Sequence, residues 1–94
     1  MFVPEENRIK IDAHGMTVEE IKYELDITLD FIPKKIKQVV VVHGYKYGQT
    51  ILNFLRYEYK HVNIDKIILD KNPGITIFAV KRNKVKDLSK KSGK

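Results

Sequence analysis

A chain of 94 residues, 43% hydrophobic and without cysteine, holds one modest core and no disulfide or thiolate-zinc framework. No apolar run approaches the roughly 20 residues of a membrane helix, and the first ten residues lack the apolar stretch of a secretory signal, so the expectation is a soluble, cytoplasmic protein with no membrane partner. The net charge of +6 belongs to the stretch from Lys81 to Lys94, seven basic residues against Asp87 alone, because residues 1–80 balance their acidic and basic side chains.

Such a basic stretch favours nucleic acid through phosphate contacts and counterion release, or serves only as a solubilising terminus. In chain order, residues 1–7, with Pro4 and two glutamates, read as an irregular lead-in. From Arg8 to His14 the chain alternates, with Ile9 and Ile11 on one side and Lys10, Asp12 and His14 on the other. That period of two predicts a half-buried strand, with Asp12 and His14 leaving the same face. Thr17-Val18-Glu19-Glu20 is a capping box, and Met16 and Ile21 are placed for a hydrophobic staple. Ile21, Leu25, Leu29 and Ile32 recur at steps of three and four, an amphipathic helix that Pro33 ends. Its outer face carries Glu19, Glu20, Glu24, Asp26 and Asp30 against Lys22. That face repels phosphate and reads as solvated surface, since no histidine joins the carboxylates at helical spacing.

After the basic connector Lys34–Lys37, the β-branched run Gln38–Val42 predicts a central or doubly covered strand. A glycine-bearing loop, His43 to Gly48, leads to a second helical stripe of Ile51, Leu52, Leu55 and Tyr59. Ile64–Leu69 reads as a third strand, Asp70–Gly74 as a turn and Ile75–Lys81 as the last strand. Residues 82–94 turn to Lys, Ser and Gly and read as a mobile basic tail beyond a domain of residues 8–81. The order βαβαββ has two right-handed helical crossovers and a closing antiparallel hairpin. The fold class expected is therefore a two-layer α/β sandwich: a four-stranded mixed sheet with two helices on one face.

Two strand ends carry the chemistry. Parallel crossover strands place their carboxyl ends side by side, where ligands of open α/β sheets bind, so Asp12, His14 and His43 are expected to converge near the second helix. Strand, glycine loop and helix N-terminus together favour an anion, with free backbone N–H groups, the Lys46 charge and the Thr50 hydroxyl. Tyr45 and Tyr47 can stack on unpaired bases or simply cover the sheet edge, and Gly44 and Gly48 can serve only the turn. Neither a Walker A loop nor a dinucleotide fingerprint is present, so no nucleotide cofactor is expected. Asp12 and His14 can hold a divalent metal or do acid–base work; equally, Asp12 can cap local N–H groups and His14 bond a loop carbonyl. His61, beside Lys60, reads as a charge partner at the end of the second helix.

These residues resemble the small MutS-related (Smr) domain family across about residues 8–81. The family's Leu-Asp-x-His motif followed by Gly reads Ile11-Asp12-Ala13-His14-Gly15 here. Its His-Gly-x-Gly-x-Gly motif reads His43-Gly44-Tyr45-Lys46-Tyr47-Gly48, and its closing strand reads Gly74-Ile75-Thr76-Ile77-Phe78. The resemblance implies a fold similar to the C-terminal domain of translation initiation factor three, with sheet order 1-2-4-3 and strand 4 antiparallel. It also implies DNA or RNA as partner and, in several members, DNA-nicking or RNA endonuclease activity. On that basis Asp12 and His14 are catalytic or metal-associated, and His43, Gly44 and Gly48 shape a phosphate-binding loop. Lys46 departs from the motif, replacing a glycine; a left-handed backbone there costs lysine roughly 1 kcal/mol or more.

Two functions follow as expectations. One is an endonuclease with Asp12, His14 and His43 as catalytic residues and Mg²⁺ or Mn²⁺ at Asp12. The other is a non-catalytic nucleic-acid-binding module that clamps phosphate with the loop and adds contacts from Arg82, Lys84 and the rest of the tail. A protein-interaction role for the open sheet face is a third use. The oligomeric state expected is a monomer or a weak dimer.

Overall fold

A capping box, two hydrophobic stripes and four β-rich runs become six elements in the computed structural model, which describes residues 5–45 and 49–81. They are β1 (Arg8–Asp12), α1 (Val18–Asp30), β2 (Gln38–Val42), α2 (Gln49–Asn53), β3 (Ile64–Leu69) and β4 (Ile75–Val80). Lys46, Tyr47, Gly48, Arg82 and Lys84 lie outside the described residues, as does the rest of 82–94.

The sheet runs β1-β2-β4-β3, with β1 and β2 parallel and β4 antiparallel to both its neighbours. This is the order expected. Ile11, Ala13, Val39, Val41 and Phe78 from one face of the sheet pack with Ile21, Leu25 and Leu29 of α1 and with Ile51, Leu55 and Tyr59. Both helices therefore cover that one face. The other face presents Val40, Val42, Ile75 and Ile77, all half-buried, with no helix over them among the described residues.

Both bonds of the capping box form. Thr17 Oγ1 accepts the Glu20 N–H at 3.1 Å, and Glu20 Oε1 accepts the Thr17 N–H at 2.9 Å. A cap contributes about 1 kcal/mol, whereas each buried Ile or Leu contributes about 2. Packing of Ile21, Leu25 and Leu29 thus holds α1 in place, and the cap sets where it begins.

Four local features go beyond the sequence reading. In the lead-in, Glu5–Asn7 form one 3₁₀ turn, and Asn7 bonds the connector through Lys35 O and the Lys37 N–H. The second helix leaves α geometry after Asn53 and continues over Phe54–Glu58 as a π-helix, closed by the Tyr59 N–H on Phe54 O at 2.7 Å. A bulge at Asp65 interrupts β3 against β4, a device that spoils an edge strand for further pairing. Finally, His61 is not a partner of its own helix end. Its Nε2 lies 2.8 Å from Asp30 Oδ1, in the last turn of α1.

Candidate functional site

β1 and β2 pair in register from Arg8–Gln38 to Asp12–Val42, and the ladder runs one bond further, from the Ala13 N–H to Val42 O at 2.8 Å. The two motifs therefore end side by side. Strand parity then sorts their side chains. On β1 the inward series Ile9, Ile11, Ala13 leaves Asp12 and His14 outside and exposed. On β2 the inward series is Val39, Val41, His43, and His43 is only 2% exposed. Of the three side chains expected to converge, two share the outer rim and the third is in the core.

His43 is fully engaged there. Its Nδ1 lies 2.7 Å from Gly44 O, and its Nε2 lies 2.9 Å from Thr76 Oγ1. A carbonyl only accepts, so Nδ1 carries the proton, and Nε2 of the neutral ring accepts the Thr76 hydroxyl. Arg56 completes the chain, donating from Nε to Thr76 Oγ1 at 3.1 Å and from Nη2 to Ile75 O at 3.3 Å. Burial is the main cause that holds the His43 pKa below its ordinary value. The Gly44 carbonyl pulls it back up, and the charge of Arg56 pushes it down again. A neutral ring with both nitrogens occupied anchors the loop backbone to β4.

Gly44 follows at φ +80°, and a Cβ on it would lie 3.6 Å from His14 Cδ2, so the His14 ring stands beside a bare backbone. Behind it, Gly74 O accepts the N–H groups of both His43 and Gly44, at 2.9 and 3.0 Å. These two N–H groups of the loop are spent inside the protein and are not among those free for an anion. Gly74 has no room for a side chain, since a Cβ there would meet the Gly44 backbone at 3.0 Å. On the β1 side, Gly15 at φ +85° turns the chain toward the cap of α1. Tyr45, 53% exposed, and Thr50, exposed in the first turn of α2, flank the stretch of Lys46 to Gly48.

Asp12 Oδ1 accepts the His14 N–H at 3.0 Å, the local capping bond that an Asp at a strand end can make. Among the described residues, no three His, Asp or Glu side chains gather where they could hold a metal ion. With Oδ1 on its own turn, Asp12 is a sparse donor set for a resident Mg²⁺ or Mn²⁺; its Oδ2 and the His14 ring are the groups that would hold a cation there.

Arg56, Thr76 and Gly74 belong to this site although their roles were not read from the sequence. Thr76 carried a signal. It is a polar residue at the inward position opposite Val41, and a buried hydroxyl requires a partner.

No protein-family model and no curated protein matches the chain. Among solved structures, a crystal structure of the Smr domain of Thermus thermophilus MutS2 is similar, with a TM-score of 0.61 at 22% identity. The match covers 78% of this chain and 98% of that one. Nearly the whole of that domain is thus reproduced here, and the chain has the fold of an Smr domain.

Proposed function

We propose that the chain is a nucleic-acid-binding module that receives a phosphate at the rim formed by His14, Gly44, Tyr45 and the first turn of α2. The observation that carries this is the exposed imidazole of His14 beside the side-chain-free backbone of Gly44. With no Cβ on Gly44 to crowd the rim, a phosphate can approach the His14 ring, which donates to its oxygen. The strand-end position, the Smr fold and the basic charge of residues 81–94 support the same reading. Tyr45 offers a ring for an unpaired base, Thr50 a hydroxyl and Lys46 a charge. His43, through Thr76 and Arg56, holds the loop from beneath. Arg82 and Lys84 add contacts that carry no sequence information.

The test is binding of labelled single-stranded RNA, single-stranded DNA and duplex by the full chain at two salt concentrations. His14→Ala and Tyr45→Ala are each expected to weaken binding by roughly tenfold, the cost of one stacking or charge-assisted contact. Replacing Arg82 and Lys84 by alanine is expected to flatten the salt dependence. Equal affinity in all variants would remove the rim from consideration.

Asp12 and His14, adjacent and exposed on one face, favour a second reading, phosphodiester cleavage with His14 as acid–base group and Asp12 holding its turn. Supercoiled plasmid and labelled RNA, incubated with Mg²⁺, Mn²⁺ or EDTA beside Asp12→Asn and His14→Ala, decide it. Cleavage abolished by His14→Ala supports the enzyme. Cleavage equal in all three proteins is a contaminant's, and binding without cleavage leaves the clamp.

A further inference from the structure

The outer face of α1 is apolar along a line where a solvated helix face is polar. Tyr23, Ile27 and Phe31 follow one another at four-residue steps and are 66%, 43% and 80% exposed. Side chains four apart stack on one face, so the three form a continuous stripe opposite Ile21, Leu25 and Leu29. By helical position, Glu19, Asp26 and Asp30 border the stripe on one side, and Glu20 and Glu24 on the other. The basic residue of this helix, Lys22, is paired with Asp26 at 2.9 Å.

The sign of that rim selects an occupant. Nucleic acid is repelled. The same face of a second copy is repelled too, acid against acid. A cationic polypeptide with apolar anchors is attracted on both counts. This chain carries one: residues 82–94 hold six Lys/Arg against Asp87, with Val85 and Leu88 among them.

The described chain also ends near the last turn of α1. The Lys81 N–H bonds Asn63 O at 2.8 Å, and Asn63 Nδ2 bonds Leu29 O at 2.8 Å. His61 contacts Asp30 in the same turn. Lys81, the last described residue, therefore stands two hydrogen bonds from the last turn of α1. Thirteen residues span up to roughly 43 Å when extended. The 13 residues of α1 measure only about 20 Å.

We propose that the outer face of α1 is a docking site for residues 82–94 of the same chain, with Val85 and Leu88 set against Tyr23, Ile27 and Phe31 and the lysines among the rim carboxylates. The tether makes the contact intramolecular, at an effective concentration in the millimolar range. The proposal does not depend on the chain binding nucleic acid.

Because the sequence lacks cysteine, Ser89→Cys gives a single site for a nitroxide label on the full chain. At low salt, the amide signals of Tyr23, Ile27 and Phe31 are expected to lose about half their intensity or more, while Val40 and Ile77 on the open sheet face keep theirs. The loss is expected to reverse at about 0.5 M salt, as screening requires. It is also expected to reverse in Tyr23→Ser/Phe31→Ser, which alters exposed side chains only, and to weaken in Glu19→Gln/Glu24→Gln. Broadening spread evenly over the surface, or centred on Tyr45 and Thr50 or on the open sheet face, overturns the proposal. So does broadening that fades on dilution, which would put the segment on a second copy.

Discussion

His14 and His43 end two neighbouring parallel strands, and each is followed by a glycine with positive φ. One is exposed beside bare backbone, and the other is buried with both ring nitrogens bonded. The difference comes from parity and position. β1 is an edge strand whose inward series ends at Ala13, so the next residue faces out. β2 is central, and its inward series runs from Val39 through Val41 to the histidine itself. A motif of histidine and glycine at a strand end thus has two uses: one imidazole is offered to solvent, and the other anchors the loop beside it.

Stability measurements test this contrast, and His43 carries most of the effect. His43→Ala empties a core position and leaves the Thr76 hydroxyl and the Gly44 carbonyl without their partner. The expected loss is about 2–4 kcal/mol by urea denaturation. His14→Ala is expected to stay within about 0.5 kcal/mol of wild type. Equal losses would erase the distinction.

Next come the glycines behind each histidine. Gly74→Ala forces a Cβ against the Gly44 backbone, which has no flexible side chain to give way, and is expected to cost about 1–3 kcal/mol. Gly15→Ala meets no atom within 4 Å and costs only its left-handed φ, about 1–2 kcal/mol. The two differ more in binding. Gly74→Ala is expected to move the loop after His43, whereas Gly15→Ala displaces the turn after His14. Backbone amide shifts around Gly44 in the two variants check the difference.

The smallest effect is on pH dependence. His43 has a folded pKa below its ordinary 6.5, so between those two values the unfolded chain binds more protons than the folded one. Stability therefore rises with pH through that window, is complete above about 6.5 and is lost as pH falls toward the folded value. The slope is at most about 1.4 kcal/mol per pH unit for one proton. Denaturation midpoints from pH 5 to 8 are expected to show this component in wild type and in His14→Ala, and to lack it in His43→Ala.

Much of the fold was legible because local signals agreed with one another. The capping box, the stripe from Ile21 to Ile32 and the turn at Asp70–Gly74 each name an element without help from the rest of the chain. The placement of β4 between β2 and β3 came from the resemblance, since chain order alone leaves it open. At the site, Asp12 and His14 could be assigned a common face because β1 alternates visibly. His43 could not, because Val39 to Val42 are all valine and give no parity. Arg56 and Thr76 meet across a sequence separation of twenty residues, and His61 meets Asp30 across thirty-one, contacts that only tertiary packing creates.

The π-helical turn at Phe54–Glu58 shifts the phase of the second helix. Four residues of ordinary α-helix over-rotate by about 40°, a drift small enough that Ile21, Leu25 and Leu29 of α1, at steps of four, all stay buried. Ile51, Leu55 and Tyr59 take the same steps, but the second of them crosses the wider turn. All three are buried, and at the exit of that turn Tyr59 reaches Asp26 of α1 through its hydroxyl at 2.7 Å. Deleting one residue between Phe54 and Glu58 would leave room for an α turn there but detach Arg56 from Thr76, and with it the support beneath His43.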